Sequence, residues 1–130
     1  PASAADRVLD FARSATYARE ADTVDQKPTF EVYVMEGAEW KSAAAGLSGL
    51  QEWAAADLLP YVRRRFACPD CVLCEALIRR YAARERMQHP QHYDFHAFAT
   101  VVLGLNPQEF TGGLYVQGNF SEASRQYISL

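Results

Sequence analysis

The spacing of apolar residues changes part-way along this chain, and that change limits the folds open to it. Up to Phe66 the apolar positions recur mostly at helical intervals, whereas beyond it they fall in short β-branched and aromatic runs separated by turns. Ser3-Ala4-Ala5-Asp6 reads as a capping box ahead of a helical stripe of Val8, Leu9, Ala12 and Ala15 that reaches the stem of Arg19. The polar stretch over 23–28 closes that helix and ends in a proline. Residues 29–35 alternate Phe30, Val32 and Val34 against Glu31, Tyr33 and Met35, which predicts a strand with one buried face, ended by Gly37. Ser48 is placed to cap a second helix that runs through Leu50, Trp53, Ala54 and Leu58 to Phe66, kinked at Pro60. Trp40, Trp53, Tyr61 and Phe66 sit at helical spacings beside Leu and Ala and are expected in the core. Residues 76–81 fit helix or strand equally well. Residues 92–105 predict strand, with turns at Asn106-Pro107 and Gly112-Gly113. The expected class is α+β: a helical part with one strand over 1–66, then antiparallel strands over 67–130 in the same domain.

Length and composition agree with one packed domain, since the chain has 130 residues, 49% of them hydrophobic and 22% charged. No uncharged apolar run is long enough for a transmembrane helix, the nearest being residues 95–105, which contain His96. Charge is unevenly spread. Residues 1–62 carry five basic and ten acidic side chains, whereas 63–86 carry seven basic and three acidic. A basic middle in a chain of net charge −3, with no aromatic-interleaved basic stripe, argues against a nucleic-acid partner. Arg63-Arg64-Arg65 reads as a solvated helix C-terminus, and Glu20, Asp22 and Asp25 as a solvated linker. Pro1 in place of Met is what a processed or trimmed chain shows, which leaves the compartment open.

All three histidines lie within the eight positions His89-Pro90-Gln91-His92-Tyr93-Asp94-Phe95-His96. On a strand, side chains two apart share a face, so His92 and Asp94 would project together. An imidazole and a carboxylate on one face, joined by a further His, make the facial set of non-haem Fe(II) sites.

The order of motifs around that pair is similar to the first half of the Fe(II)- and 2-oxoglutarate-dependent dioxygenases of the prolyl 4-hydroxylase type. Leu77-Ile78-Arg79-Arg80-Tyr81 precedes His92-Tyr93-Asp94; Leu103-Gly104-Leu105-Asn106 and Phe110-Thr111-Gly112-Gly113 follow. The resemblance covers about residues 72–130. It implies a partial, jelly-roll-like double-stranded β-helix with the N-terminal helices packed on it. It further implies His92 and Asp94 as iron ligands, Tyr81 as a donor to 2-oxoglutarate, and structural roles for Phe110, Gly112 and Gly113. The implied reaction is hydroxylation of a protein residue such as proline. The chain departs from the family in having Ala82-Ala83 where a Pro-Gly is usual. After Gly113 it has no His, no Lys and a single Arg, Arg125, so the family's distal His and basic anchor are missing. Two expectations follow: a dioxygenase completed beyond Leu130, or a non-catalytic structural or assembly subunit derived from one. The second requires protein partners over the open strand edges at 115–117 and 127–130.

Cys68-Pro69-Asp70-Cys71-Val72-Leu73-Cys74 is the other chemical cluster. Its C-x-x-C spacing fits a zinc knuckle that His89 would complete as Cys₃His. It equally fits a Cys68–Cys71 disulfide with Cys74 buried as an apolar residue, or plain thiols.

Overall fold

The computed structural model describes residues 3–117 and 125–129, which form a mixed α+β structure with antiparallel sheets that do not close. The chain divides into two compact units, Pro1–Ala99 and Thr100–Leu130.

In the first unit, α1 (Ala4–Ser14) opens on the expected capping box. The Asp6 amide donates to Ser3 Oγ at 3.1 Å, and the Ser3 amide donates back to Asp6 Oδ2 at 2.8 Å. The helix stops at Ser14, well before the polar stretch expected to end it. Ser14 Oγ donates to the Asp10 and Phe11 carbonyls, and Tyr17 Oη to that of Ala12, so last-turn acceptors are met by side chains. Arg19 then lies on β1 (Ala18–Ala21), a strand that the helical reading of this segment missed.

β2 (Pro28–Glu36) is the centre of a four-stranded sheet with β1, β3 (Glu39–Trp40) and β4 (Ala76–Arg79), all antiparallel to it. Glu31 pairs with both Ala18 and Arg79, and Met35 with both Trp40 and Ala76. Hence β1 and β3 share one edge of β2, and β4 takes the other. β4 resolves the ambiguity over 76–81 as strand, and its pairing draws residues beyond 66 into the sheet of the N-terminal part. The register slips between Tyr33 and Met35, so Val34 and Met35 are both buried and the expected alternation fails at that point. Gly37 and Ala38 join β2 to β3 with φ of 59° and 66°, the left-handed pair that a tight hairpin turn demands.

Residues 48–65 form one continuous helical run: α2 (Ser48–Trp53), a π-helical stretch Ala54–Leu58, and α3 (Leu59–Arg65). Pro60 lacks an N–H and its ring crowds the carbonyl four residues back, and where a kink was expected the helix instead takes a π turn just ahead of it. Ser48 is the first helical residue and Leu47 the N-cap, so the expected Ser48 cap is displaced by one position. The core holds Val8, Val34, Met35, Ala44, Leu47, Ala54 and Ile78. Trp40 and Trp53 are half-buried, but Tyr61 and Phe66 are exposed, against the expectation that all four aromatics pack inside.

Past β4 the chain is irregular, and none of residues 92–105 is strand, so the strand expected to carry His92 and Asp94 is not formed. Two prolines nearby and the absence of a partner strand leave its backbone groups outside any ladder. In the second unit, a 3₁₀ turn over Pro107–Glu109 follows Asn106, as the Asn-Pro pair predicts. β5 (Gly113–Gln117) pairs antiparallel with β6 (Arg125–Ser129). The two segments expected to present separate open edges thus pair with each other over these residues; Leu130 lies outside the described residues. A Cβ on Gly113 would overlap the Ile128 carbonyl, which ties this glycine to the close approach of β6. No helix among the described residues is long and apolar enough to cross a membrane.

Candidate functional site

The turn between β1 and β2 is built from the residues expected to be solvated linker. The Asp22 amide donates to the Lys27 carbonyl at 2.9 Å, and the Val24 amide donates to Asp22 Oδ1 at 2.7 Å. An Asp able to bond its own backbone two residues on is the usual nucleus of such a turn. Asp22 is nevertheless only 7% exposed, because the loop after β4 folds over it.

That loop brings Arg86, 9% exposed, against the turn. Arg86 Nη1 and Nη2 donate to Asp25 Oδ1 and Oδ2 at 3.1 and 3.0 Å, Nε donates to the Gln88 carbonyl at 2.8 Å, and Nη1 also reaches the Lys27 carbonyl at 3.2 Å. Asp22 Oδ2 lies 3.9 Å from Nη2. A guanidinium so enclosed is neutralised by carboxylates and filled with acceptors, the two conditions for burying it. Neither Arg86 nor this role of Asp22 and Asp25 was picked out in the sequence. The one signal there is the run of turn-forming residues between two β-like segments.

The same loop places the histidines. His89 Nδ1 stands 3.3 Å from Asp22 Oδ2, yet that atom is buried with no aligned hydrogen bond; proximity without a directed N–H makes this an electrostatic contact only. Burial, followed by the nearby Arg79 charge, holds the His89 pKa below its ordinary value, against the pull of Asp22, with His92 and Arg86 adding to the depression. Asp22 is also held low: burial acts upward, but the Val24 amide and the charges of His89 and Arg86 outweigh it. The His89 and His92 rings meet edge-on, with centroids 4.4 Å apart.

His92 and Asp94 do come together, though on an irregular loop: His92 Nε2 is 3.2 Å from Asp94 Oδ1. His92 Nδ1 is 2.9 Å from the Pro90 carbonyl, which can only accept, so Nδ1 carries a proton. Nε2 then faces the Asp94 carboxylate oxygen. His96, on the same run, is exposed. Tyr81 is half-buried; burial alone would lower the Arg79 pKa, but neighbouring Tyr81 and the Glu31 charge together outweigh it and raise it above the ordinary value.

Cys68 and Cys71 form a disulfide with Cα atoms 5.4 Å apart, and Cys74 is free and exposed, not buried as expected for an apolar residue. The turn is closed by the Cys71 amide donating to the Cys68 carbonyl at 3.2 Å, and Arg63 Nε donates to the Cys71 carbonyl at 2.9 Å. Arg63 thus holds the cysteine turn as well as sitting at the helix C-terminus. Among the described residues no three His, Cys, Asp or Glu side chains converge as a metal-binding group. Compared with known proteins, the chain matches no family model, no curated protein and no solved structure.

Proposed function

We propose that this chain supplies the His92 and Asp94 ligands of an iron- and 2-oxoglutarate-dependent dioxygenase site of the prolyl 4-hydroxylase type, acting on a peptidyl residue such as proline. The observation that supports the reading is the pairing of His92 Nε2 with Asp94 Oδ1 at 3.2 Å while the Pro90 carbonyl holds Nδ1–H. A carbonyl on the far nitrogen fixes the tautomer that leaves the near nitrogen free for a metal, as outer partners of metal-bound histidines do. In this reading His92 and Asp94 would be two of the donors to a divalent ion. Bound iron with 2-oxoglutarate and oxygen would supply the oxidation of a C–H bond. The chain's part is to orient: Pro90 sets the His92 ring, His89 buttresses its face, and the Arg86 clasp fixes the loop that carries both. Tyr81 is the proposed donor to the 2-oxoglutarate carboxylate. The third protein ligand and the basic anchor for the far carboxylate come, in this reading, from outside the described residues.

The test is anaerobic Fe(II) titration together with 2-oxoglutarate consumption. His92→Ala and Asp94→Ala are each expected to abolish both; iron binding that survives either substitution removes the assignment.

A second reading, a non-catalytic assembly subunit, is favoured by the apolar surface of the second unit. Val101, Val102 and Leu103 are each about half exposed, as are Phe110, Tyr115, Val116, Tyr127 and Ile128. Protein that binds no iron, turns over no 2-oxoglutarate and sediments as a defined complex with a protein partner selects this reading. Zinc at Cys68, Cys71, Cys74 and His89 belongs to the reduced protein alone, and zinc content before and after reduction decides it.

A further inference from the structure

The β1–β2 hairpin and the turn after β4 enclose a cleft of about 240 Å3 on the first unit, lined by Arg19, Lys27, Phe30, Arg84, Glu85 and Arg86 among others. Two of its charged walls are already satisfied. Glu85 accepts from Arg80 Nε and Nη2 at 2.9 and 2.7 Å, and Arg86 is spent on Asp25 and Asp22. Arg19, Lys27 and Arg84 take part in none of the ion pairs among the described residues. Asp25 is within electrostatic reach of Lys27 but is clamped by Arg86. Arg19, Lys27 and Arg84 thus share a concave surface with no ion-pair partner among the described residues, beside half-buried Phe30, whose ring has the Arg80 guanidinium 5.2 Å from its centroid.

Arg84 lies on a strained turn. It holds φ at 75°, the left-handed region that a residue with a Cβ avoids, in a turn closed by the Glu85 amide donating to the Ala82 carbonyl at 3.0 Å. Gln26, Ala38 and Ala67 also hold positive φ, so at Arg84 the strain marks the turn that carries this residue on the cleft wall.

We propose that this cleft binds a small molecule bearing an oxyanion, a phosphate or a carboxylate, on an apolar body. Arg84 and Arg19 present planar forks that match either oxyanion, Lys27 adds a point charge, and Phe30 takes the apolar part. The proposal does not depend on the dioxygenase reading, because none of its residues is an iron ligand in that reading.

Two-dimensional NMR titration of the whole chain with phenyl phosphate, benzoate and inorganic phosphate, at ionic strength matched with sodium chloride, tests it. Saturable amide shifts at Lys27, Phe30 and Arg84 are expected, with phenyl phosphate or benzoate tighter than inorganic phosphate. Whichever of the first two binds more tightly identifies the oxyanion. Arg84→Gln should weaken binding about tenfold, in line with loss of a bidentate charge-assisted contact. Arg64→Gln on α3, outside the cleft, should leave it unchanged. Arg84→Gly relieves the left-handed strain, so it is expected to raise the melting temperature while losing affinity, which separates ligand loss from unfolding. Shifts that stay linear in concentration, that sodium chloride reproduces, or that Arg84→Gln and Arg84→Gly leave intact overturn the proposal.

Discussion

Arg86 acts by what it neutralises. Removing it leaves Asp22 buried beside Asp25 with no guanidinium between them, the situation in which breaking a buried pair is expensive. Arg86→Ala is expected to lower the unfolding free energy by about 3 kcal/mol, read from the urea midpoint at constant slope. A loss below about 1 kcal/mol would mean that the clasp is no more than a surface ion pair. Asp22 gives a pH signature from the same cluster. Its carboxylate titrates below the ordinary 3.8, so as pH falls the unfolded chain takes up this proton first. The stability it contributes is therefore whole above about pH 3.8 and is lost as pH falls through the lower folded value. Asp22→Asn should flatten the acid limb of the stability profile, and a limb as steep as in the parent chain contradicts the assignment. The sequence showed His92 and Asp94 as a pair, because two residues apart is a local relation. It hid Asp22, Asp25 and Arg86, since a salt bridge across some sixty positions has no local signature.

At the scale of elements, turns carry the strain. Ala38 occupies the second left-handed position of the β2–β3 hairpin, where glycine or asparagine is the natural choice. Ala38→Gly is expected to stabilise the fold by about 1 kcal/mol, the approximate penalty for a Cβ in that region, measured by thermal or urea unfolding. No gain would mean that the extra freedom of glycine in the unfolded chain offsets the relief. The α1 cap and β2 were readable from the sequence because each is encoded within its own residues. The end of α1 was not, since Ser14 and Tyr17 stop it through side-chain bonds that no period reveals. A kink was expected at Pro60; what forms is a π turn just ahead of it, which depends on how the helix re-registers its carbonyls around the missing N–H.

For the molecule as a whole, the two units have different claims to independent order. The first has a small buried core beneath a four-stranded sheet. The second has a two-stranded hairpin whose large apolar residues are about half exposed, an arrangement that is marginal in water without a further covering surface. Backbone amides of β5 and β6 are expected to exchange with solvent at least about a hundredfold faster than those of β2 in the isolated chain, and to become protected when a partner covers them. Equal protection in the two sheets of the isolated protein argues against any need for a partner.

Near-neighbour interactions made the α1 cap, the central strand and the helical run over 48–65 legible in the sequence; His92 and Asp94 also meet, but on an irregular loop and not on the strand face expected for them. Tertiary packing settled that residues 92–105 stay out of any strand, that Cys68 and Cys71 pair, and that Asp22 is buried at the start of an otherwise largely exposed turn over 22–27. Strand formation needs a partner to accept its hydrogen bonds, and burial of charge needs an opposite charge brought from far along the chain. Neither condition is written in local spacing, because both are settled only when distant segments meet.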